Sequence, residues 1–177
     1  MAKSQTFRAN VGVVVLNDKW EVLALERIDK TALRQDGVTK GMGQWQMPQG
    51  GLDEGEEPDE AWRRELREEI HVQDGDLTLI GSYPEWIVYE LPPEVRRQPD
   101  VQQKQGRGQV QKWYYARLKG SARIKLEPEQ SGEEQEFVAH KWMPLDQLAQ
   151  ETWVVRRPIY ERLATYLSTL RQGAPSP

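Results

Sequence analysis

The chain of 177 residues contains no cysteine and only two histidines, His71 and His140. Disulfide bonds and thiolate metal sites are therefore excluded, and so is a zinc centre built from several histidines. Any bound metal has to be held mainly by carboxylate oxygens, which favour hard ions such as Mg²⁺ or Mn²⁺. The composition thus directs attention to the acidic residues.

Long apolar runs and an excess of basic charge are also missing. The longest early apolar run, residues 11–16, is too short for a signal-peptide core or a membrane span, which predicts a cytoplasmic protein with no membrane partner. The formal net charge of −4 argues against a nucleic-acid coat and against general DNA binding. It leaves room for a protein that grips a single terminal phosphate group.

Hydrophobic patterns and turn residues predict one domain, residues 1–172, with a flexible tail at 173–177. Asn17, Asp18 and Lys19 predict a hairpin turn between the first two strands. Strands are predicted over residues 10–16, 20–26, 77–82, 86–91, 109–118, 122–126 and 137–142, and a short strand running into a glycine turn over 44–51. Residues 29–43 and 92–107 are predicted to be long loops.

Three helices complete the outline. The first is predicted to begin at Pro58, since proline suits the first helical position, and its buried stripe consists of Trp62, Leu66 and Ile70. A short helix is predicted over residues 145–150 and a final one over 158–170. The predicted buried face of the final helix contains Ile159, Leu163, Tyr166, Leu167 and Leu170. These elements predict an α/β (α+β) fold, an α/β/α sandwich with a mixed central sheet.

Three glutamates, Glu65, Glu68 and Glu69, lie at positions i, i+3 and i+4 of the first predicted helix. This spacing puts the carboxylates on one face, about 5–6 Å apart at Cβ, where like charges destabilise a helix. A bound divalent cation reverses that effect, because hard cations need several oxygen ligands. The plain alternative is a solvated acidic face neutralised by the neighbouring arginines, which are Arg63, Arg64 and Arg67.

A longer pattern surrounds these glutamates. It reads Gly, five residues, Glu, seven residues, Arg-Glu-apolar, one residue, Glu-Glu, one residue, Gly, apolar. The matching residues are Gly50, Glu56, Arg64, Glu65, Leu66, Glu68, Glu69 and Val72, and His71 replaces the final glycine. The window resembles the Nudix box of Nudix hydrolases. This resemblance implies an enzyme that hydrolyses a phosphorus-containing acid anhydride in a nucleotide.

The resemblance also implies the metal site. Glu65, Glu68 and Glu69 would bind Mg²⁺, or Mn²⁺, and one of them would orient or deprotonate the attacking water. The region of Gly50 would offer a backbone carbonyl to the metal, which a residue without Cβ allows. The site would then be catalytic and metal-binding at once.

Other residues of the box are expected to be structural. Glu56 and Arg64 would hold the loop to the helix by an ion pair, and Leu66 would anchor the helix in the core. His71 would end the helix in a left-handed conformation, which costs a non-glycine residue about 1 kcal/mol. The alternative role for His71 is that of a metal ligand.

Two flanking motifs resemble one branch of the family. Residues 45–51 and 108–114 are similar to the Trp-Gln-apolar-Pro-Gln-Gly-Gly and Gly-Gln-x-Gln-Lys-Trp-aromatic motifs of bacterial RNA pyrophosphohydrolases and plant-type diadenosine polyphosphate hydrolases. Glu136, followed by Phe137, resembles a glutamate that is a further metal ligand or candidate base. The resemblance implies substrate-binding roles for Arg8, Gln49, Tyr89, Gln109, Lys112, Arg156 and Arg157. For Arg8 and Lys112 the alternative is an ordinary surface charge.

One departure concerns the nucleobase. Val155 stands where the RNA-acting enzymes carry an aromatic residue that stacks on a base, a contact worth about 1–3 kcal/mol. The aromatic residues considered as replacements are Tyr89, Trp86 and Tyr114. For Trp113 and Trp142 we favour core packing.

The expected substrates are diadenosine polyphosphates and/or the 5′-triphosphate end of RNA. The alternatives are another nucleoside diphosphate such as ADP-ribose, or a non-catalytic Nudix-fold module that senses a nucleotide. Such modules usually lose carboxylates of the box, and here all are present. A structural calcium-binding helix is disfavoured because the alternating oxygen ligands of a calcium loop are missing. A monomer or small homo-oligomer is expected.

Overall fold

The computed structural model describes residues 6–27, 45–97, 106–128 and 135–173. Within them, one mixed sheet contains eight strands: β1 (Phe7–Leu16), β2 (Val22–Arg27), β3 (Trp45–Gln46), β4 (Gln49–Gly51), β5 (Leu77–Ser82), β6 (Ile87–Glu90), β7 (Gly108–Leu118) and β8 (Phe137–Met143). The α-helices of these ranges are α1 (Pro58–Ile70), α2 (Pro93–Arg96), α3 (Leu145–Glu151) and α4 (Arg157–Gly173). No helix among them is long and apolar enough to cross a membrane.

The sheet is organised around the parallel pair of β1 and β7, which stay in register from Phe7 opposite Gly108 to Leu16 opposite Arg117. Antiparallel partners extend it on both sides, with β2 and β4 on β1, β5 and β6 on β7, and β3 and β8 on β2. One face packs against α1 and the other against α3 and α4. The predicted α/β/α sandwich with a mixed sheet is confirmed.

The hairpin and the first helix agree with their predictions. The side-chain oxygen of Asn17 accepts hydrogen bonds from the backbone N–H groups of Lys19 at 2.9 Å and Glu21 at 3.0 Å, which fixes the turn. Helix α1 begins at Pro58, and its apolar stripe is fully buried. It ends at His71, whose φ of 57° is the left-handed conformation expected there.

The prediction for residues 44–51 was wrong in its details. The chain forms two short strands, β3 on β2 and β4 on β1, and Gly50 and Gly51 lie in β4 instead of a turn. Pro48 separates the strands because it has no N–H to donate to a ladder. Its carbonyl accepts a hydrogen bond from Val13 at 2.9 Å, which starts the pairing with β1.

The predicted strand at residues 122–126 does not form. Ala122, Ile124 and Leu126 are half-buried at every second position, as in a strand, but they pack against the α1 side of the core without a partner strand. The N–H of Lys125 instead donates to the carbonyl of Ile70, at the end of α1, at 3.2 Å. The alternation therefore reports one-sided burial and not a sheet.

Smaller differences concern loops and helix ends. The predicted loop at 92–107 contains the short helix α2. Residues 98–105 of this loop and the whole predicted loop at 29–43 lie outside the described ranges. Helix α4 extends to Gly173, where the tail was expected to begin, and residues 174–177 are not described. Of the residues predicted on the buried face of α4, Ile159, Leu163 and Leu167 are buried, and Tyr166 and Leu170 are partly buried. Tyr160 is also buried, and its hydroxyl accepts a hydrogen bond from the backbone N–H of Met47 at 2.9 Å.

Candidate active site

Helix α1 directs its glutamates unequally. Its apolar stripe faces the sheet, and this places Glu65 at the edge of the buried face with 8% of its surface exposed. Glu69, one turn later, is half-buried, whereas Glu68 is exposed. The three carboxylates share one side of the helix, as the spacing predicts, but two of them are withdrawn from solvent.

Strand β4 lies directly against these two carboxylates. A Cβ atom at Gly50 would overlap the carboxyl group of Glu65. The backbone N–H of the preceding residue, Gln49, donates to Glu69 Oε2 at 3.2 Å. The close approach of strand and helix therefore requires glycine at position 50.

The expected ion pair between Glu56 and Arg64 is present and bidentate. Arg64 Nε and Nη2 donate to the two oxygens of Glu56, both at 2.8 Å, and Nη2 also donates to the carbonyl of Gly51 at 2.8 Å. The hydrogen bond from Arg64, together with one from the backbone of Asp53, lowers the pKa of Glu56 to about 2. This pair fastens the loop before α1 to β4.

Arg64 also neutralises the glutamates beside it. Its Nη1 donates to Glu65 at 2.9 Å and to Glu68 at 3.1 Å. Part of the plain alternative is thus observed, although Arg67 pairs with Asp74 instead and Arg63 lies over the ring of Trp62. A purely solvated acidic face does not describe the site, because Glu65 is buried.

Electrostatics set this cluster apart from ordinary surface glutamates. Burial raises the pKa of Glu65, against the lowering effect of Arg64, and the charges of Glu68 and Glu136 raise it further. The pKa of Glu69 lies well above its usual value because of burial first and then the charges of Glu136 and Glu65. The charges of Glu65, Glu69 and Glu136 therefore repel one another, and burial adds to this effect for Glu65 and Glu69.

Glu136 reaches this cluster from a different part of the chain. It lies directly before β8 and forms an ion pair of 2.7 Å with Arg27, the last residue of β2. Both side chains are about half exposed, so the pair can exchange partners. Sequence reasoning missed Arg27. The signal that could have found it is a charged residue at the end of the buried strand β2, since β2 pairs antiparallel with β8, the strand that follows Glu136.

The donor set fits a hard divalent cation. Carboxylates that lie close together are stabilised by a positive charge between them, and oxygen is the ligand atom that hard divalent cations prefer. No preformed group of three acidic or histidine side chains that could hold a metal is seen in the described ranges. Instead, the guanidinium groups of Arg64 and Arg27 occupy carboxylate oxygens. His71 Nε2 donates a hydrogen bond to the carbonyl of Glu127 at 2.8 Å.

Several predicted substrate residues lie on the other face of the sheet. Arg8 stands opposite Gln109 on β7, which stands opposite Tyr89 on β6, so the three point to the same side. A Cβ atom at Gly51 would overlap the guanidinium of Arg8. This face is the one covered by α4, whereas Glu65 is on the face of α1.

The remaining predicted substrate residues have varied contacts. Lys112 donates from Nζ to the carbonyls of Tyr83 at 2.7 Å and Pro84 at 3.3 Å. Arg156 donates to the side-chain oxygen of Gln46. Arg157 donates to the carbonyls of Ala149 and Gln150, both at 3.2 Å, so its contacts serve the end of α3. The structure thus brings Arg8, Gln109 and Tyr89 together and holds Arg157 apart.

The aromatic candidates for a stacking role differ in accessibility. Tyr89 and Tyr114 are buried, and Tyr114 stacks on Trp62 with ring centroids 5.5 Å apart. Trp86, just before β6, has 43% of its surface exposed. Trp113 is fully buried and Trp142 packs against the core, as expected of core residues.

The sandwich, in which a glycine strand lies against a helix of glutamates, belongs to a class of proteins that comparison with known proteins identifies. The NUDIX domain model matches residues 6–163, so the chain belongs to the Nudix family and is a Nudix hydrolase. Nudix hydrolases generally use a divalent metal and bind nucleotides. The Nudix-box interpretation is confirmed.

Two relatives with curated names are similar to this chain over most of its length. The chain is 37% identical over 171 residues to an RNA pyrophosphohydrolase of Rhizobium meliloti, covering 96% of this chain and 98% of the relative. It is 33% identical over 159 residues to the chloroplastic Nudix hydrolase 26 of Arabidopsis thaliana, covering 89% of this chain and 67% of the relative.

Solved structures share the fold at lower sequence identity. A C. elegans Ap4A hydrolase in a binary complex has a TM-score of 0.61 at 18% identity, over 92% of this chain and 98% of that one. The E. coli dihydroneopterin triphosphate pyrophosphohydrolase also gives 0.61, at 23% identity, over 92% and 99%. At this level of identity the likeness concerns the fold alone.

Proposed function

We propose that this Nudix hydrolase is a Mg²⁺-dependent pyrophosphohydrolase that removes pyrophosphate from the 5′-triphosphate end of RNA, with diadenosine polyphosphates as a second substrate. The observation that carries the proposal is a set of mutually repelling carboxylates beside the glycine strand, in which Glu65 is buried, Glu69 is half-buried and Glu136 is about half exposed. The names of the relatives at 33–37% identity support the RNA end as the first substrate.

The metal would be held by Glu65, Glu69 and Glu136 together with a carbonyl near Gly50, and Glu68 would complete the set from the solvent side. When bound, a divalent ion supplies Lewis-acid polarisation of phosphoryl oxygens and neutralises their charge. Mg²⁺ suits an all-oxygen donor set that leaves room for water and phosphate. Mn²⁺ would be tolerated for the same reason.

The side chains of the chain then divide the remaining work. We assign to Glu69 the role of accepting a proton from the attacking water, since burial first and then the charges of Glu136 and Glu65 raise its pKa in the metal-free protein, which makes its carboxylate a stronger base. The water oxygen bonds to phosphorus, the bridging P–O bond breaks, and pyrophosphate leaves with the electron pair. Arg27 can turn from Glu136 to the phosphate chain, where a guanidinium binds two oxygens at once.

A Nudix-fold sensor without chemistry would have no need for this arrangement. Burial of carboxylates close to one another costs stability, and the cost is retained in proteins mainly where the groups have a function. Every carboxylate of the box is present, and Glu65 and Glu69 face the glycine strand. The hydrolase is therefore preferred to the sensor.

The proposal is tested by a parallel assay of the purified protein with Mg²⁺. The substrates are a 5′-triphosphorylated RNA, diadenosine tetraphosphate and ADP-ribose, and the products are identified by chromatography. We expect pyrophosphate and a 5′-monophosphorylated RNA from the first substrate and slower release of ATP from the second. Exclusive attack on ADP-ribose, or binding of all three without turnover, would contradict the proposal.

A further inference from the structure

A layer of carboxamide side chains lies on the α4 face of the sheet, next to Arg8 and Tyr89. Asn10 on β1 stands opposite Gln111 on β7, and Gln109 lies two residues earlier on the same face of β7. All three are buried, and Gln109 keeps 4% of its surface exposed. We call Asn10, Gln109 and Gln111 the carboxamide layer.

The direction of every hydrogen bond in the layer is fixed by Trp113. An indole N–H can only donate, so the atom of Gln111 that it contacts at 3.1 Å must be oxygen. The amide nitrogen of Gln111 then donates to the side-chain oxygens of Asn10 at 3.2 Å and Gln109 at 3.0 Å. Asn10 and Gln109 are therefore left with their NH₂ groups, and neither NH₂ donates to another residue of the described ranges.

Trp113 itself cannot turn away. Its ring is fully buried, packs edge-on against Tyr160 at 5.9 Å between centroids, and lies so close to Gly12 that a Cβ there would stand 2.5 Å from it. The indole N–H is thus held toward the layer. The indole is the fixed end of a chain of hydrogen bonds that runs through Gln111 and ends at the NH₂ groups of Asn10 and Gln109.

The flank of the layer has the same polarity. Tyr89, the neighbour of Gln109 on β6, lies within hydrogen-bonding reach of Arg156. A guanidinium also only donates, so its contact with Gln46 fixes oxygen on that side and leaves Gln46 Nε2 buried without a partner among the described residues. Gln46 is 1% exposed. By its register opposite Leu25, Gln46 points to the α1 side, so the donors that flank the layer on the α4 face are the guanidinium groups of Arg8 and Arg156.

A ligand edge made of acceptors is what such a surface recognises. Guanine presents two acceptors, O6 and N7, on one edge, whereas adenine presents N7 beside the donor N6–H₂. A fixed donor that faces the amino group of adenine leaves the donor and the amino group without acceptors. Burial of such unpaired polar groups costs binding free energy, and this cost makes a polar site selective. Asn10 stands opposite Gly51 of β4, and the neighbouring Gly50 lies against Glu65, so one short strand separates the layer from the glutamates.

We infer that the carboxamide layer, positioned by Trp113, is a specificity-determining surface that makes this enzyme prefer guanine over adenine in the nucleotide it cleaves. The inference rests on the proposed function for its substrate. It adds the base, and it assigns Asn10, Gln111 and Trp113 as residues that set base preference without touching the phosphates.

The test compares guanine and adenine in otherwise identical substrates. One pair is diguanosine and diadenosine tetraphosphate, and a second consists of 5′-triphosphorylated RNAs with guanine or adenine at the first two positions. We expect kcat/KM to be at least about tenfold higher for guanine, mostly through KM, because the contacts hold the base and not the reacting phosphorus. Equal values, or a preference for adenine, would overturn the inference. Loss of all hydrolysis would instead count against the proposed function.

Variants separate the donor polarity from simple packing. Gln109→Glu replaces the outward donor by an acceptor, so the guanine-to-adenine ratio should fall at least about tenfold, while a merely structural loss would lower both substrates alike. The matched control is Gln150→Glu on the exposed surface of α3, which adds the same charge and should leave the ratio unchanged.

Gln109→Glu places a charge in a buried position and could prevent folding. Trp113→Phe removes the indole N–H without adding charge, so Gln111 becomes free to turn and the ratio should approach one. Near-ultraviolet circular dichroism establishes that each variant is folded. A folded Trp113→Phe protein that keeps the wild-type ratio would overturn the assignment of Trp113 as the positioning residue.

Discussion

On the α1 face of the sheet the polar cluster consists of carboxylates, whereas on the α4 face it consists of carboxamides. The carboxylates repel one another and depend on outside charge, supplied here by Arg64 and Arg27. The carboxamides satisfy one another in a neutral chain that starts at the indole of Trp113. The first arrangement can exchange its cationic partners, and the second fixes the direction of its hydrogen bonds.

This difference separates chemistry from recognition. Phosphoryl transfer needs charge that can be neutralised and released, which the Glu65, Glu69 and Glu136 cluster provides. Selection of a base needs donors that do not move, which an uncharged network provides at lower cost of burial. The two glycines of β4 join the faces, since Gly50 contacts Glu65 and Gly51 contacts Arg8.

The largest effect is expected on the charged face from Glu69→Gln. If Glu69 is the general base, its loss should lower kcat by about 10²–10⁴-fold. The unfolding temperature of the metal-free protein should not fall, because a neutral amide is cheaper to bury than a carboxylate. Glu60→Gln, at an exposed position of α1, is the control and should retain activity. Near-normal turnover of Glu69→Gln would refute the role of Glu69.

A methyl group at position 50 should displace Glu65 without removing any charge. Gly50→Ala places Cβ on the carboxyl group of Glu65, and a displacement of about 1 Å at a catalytic group costs about 10²-fold in rate. The control is Gly75→Ala, where an added Cβ meets no atom within 4 Å. Steady-state hydrolysis of the RNA substrate measures both, and full activity of Gly50→Ala would show that β4 does not position Glu65.

The Glu56–Arg64 pair connects the charged face to the stability of the fold. Glu56→Gln should lower the free energy of unfolding by about 1.5–3 kcal/mol at neutral pH, the usual value for hydrogen bonds to charged groups. Because the folded-state pKa of about 2 lies below the ordinary 4.5, this stabilisation is present above pH 4.5 and is lost as the pH falls toward 2. Urea unfolding between pH 7 and 3 should show the two proteins converging; a constant gap would argue against the pair.

The neutral face should respond to a similar change through stability instead of rate. Gly12→Ala pushes Cβ into the ring of Trp113, 2.5 Å away, and overpacking of this kind costs about 1–3 kcal/mol. Denaturant unfolding gives the loss, and the rate per folded molecule should fall less than in Gly50→Ala. If Gly12→Ala lowered the rate of hydrolysis more than it lowered stability, the claim that the α4 face does not position the reacting groups would be contradicted.

Sequence reasoning was strongest where a function is written locally. The glutamates of α1 and the glycines of β4 lie within one continuous window, so spacing alone could group them. The fold class followed from strand and helix periodicity, which depends on burial of one face. Residues 122–126 misled the same reasoning, because a segment can bury alternate side chains without a partner strand.

What sequence reasoning could not find depends on distant pairs. Gln111 and Asn10 are 101 positions apart, and a Gln-x-Gln pattern in a strand looks like a polar surface until its partner is known. The pairing of Arg27 with Glu136 likewise depends on the register of β2 and β8. The direction of a hydrogen bond is set by the donor-only groups at its end, and these become visible only in the fold.

The smallest effect is expected at His71, where the helix of the charged face ends. Glycine there removes the cost of a left-handed side chain, about 1 kcal/mol. It also removes the hydrogen bond between the imidazole and the carbonyl of Glu127, at 2.8 Å, worth about 0.5–1.5 kcal/mol.

These terms oppose each other, so His71→Gly should change the free energy of unfolding by less than about 1 kcal/mol. The backbone contact of Lys125 with Ile70 remains and keeps the following segment on α1. Urea unfolding and the rate of RNA hydrolysis measure the result. A loss above about 3 kcal/mol would mean that the imidazole anchors the helix end, since the hydrogen bond to Glu127 does not account for so much. The end of α1 would then be a determinant of the carboxylate site and not merely its boundary.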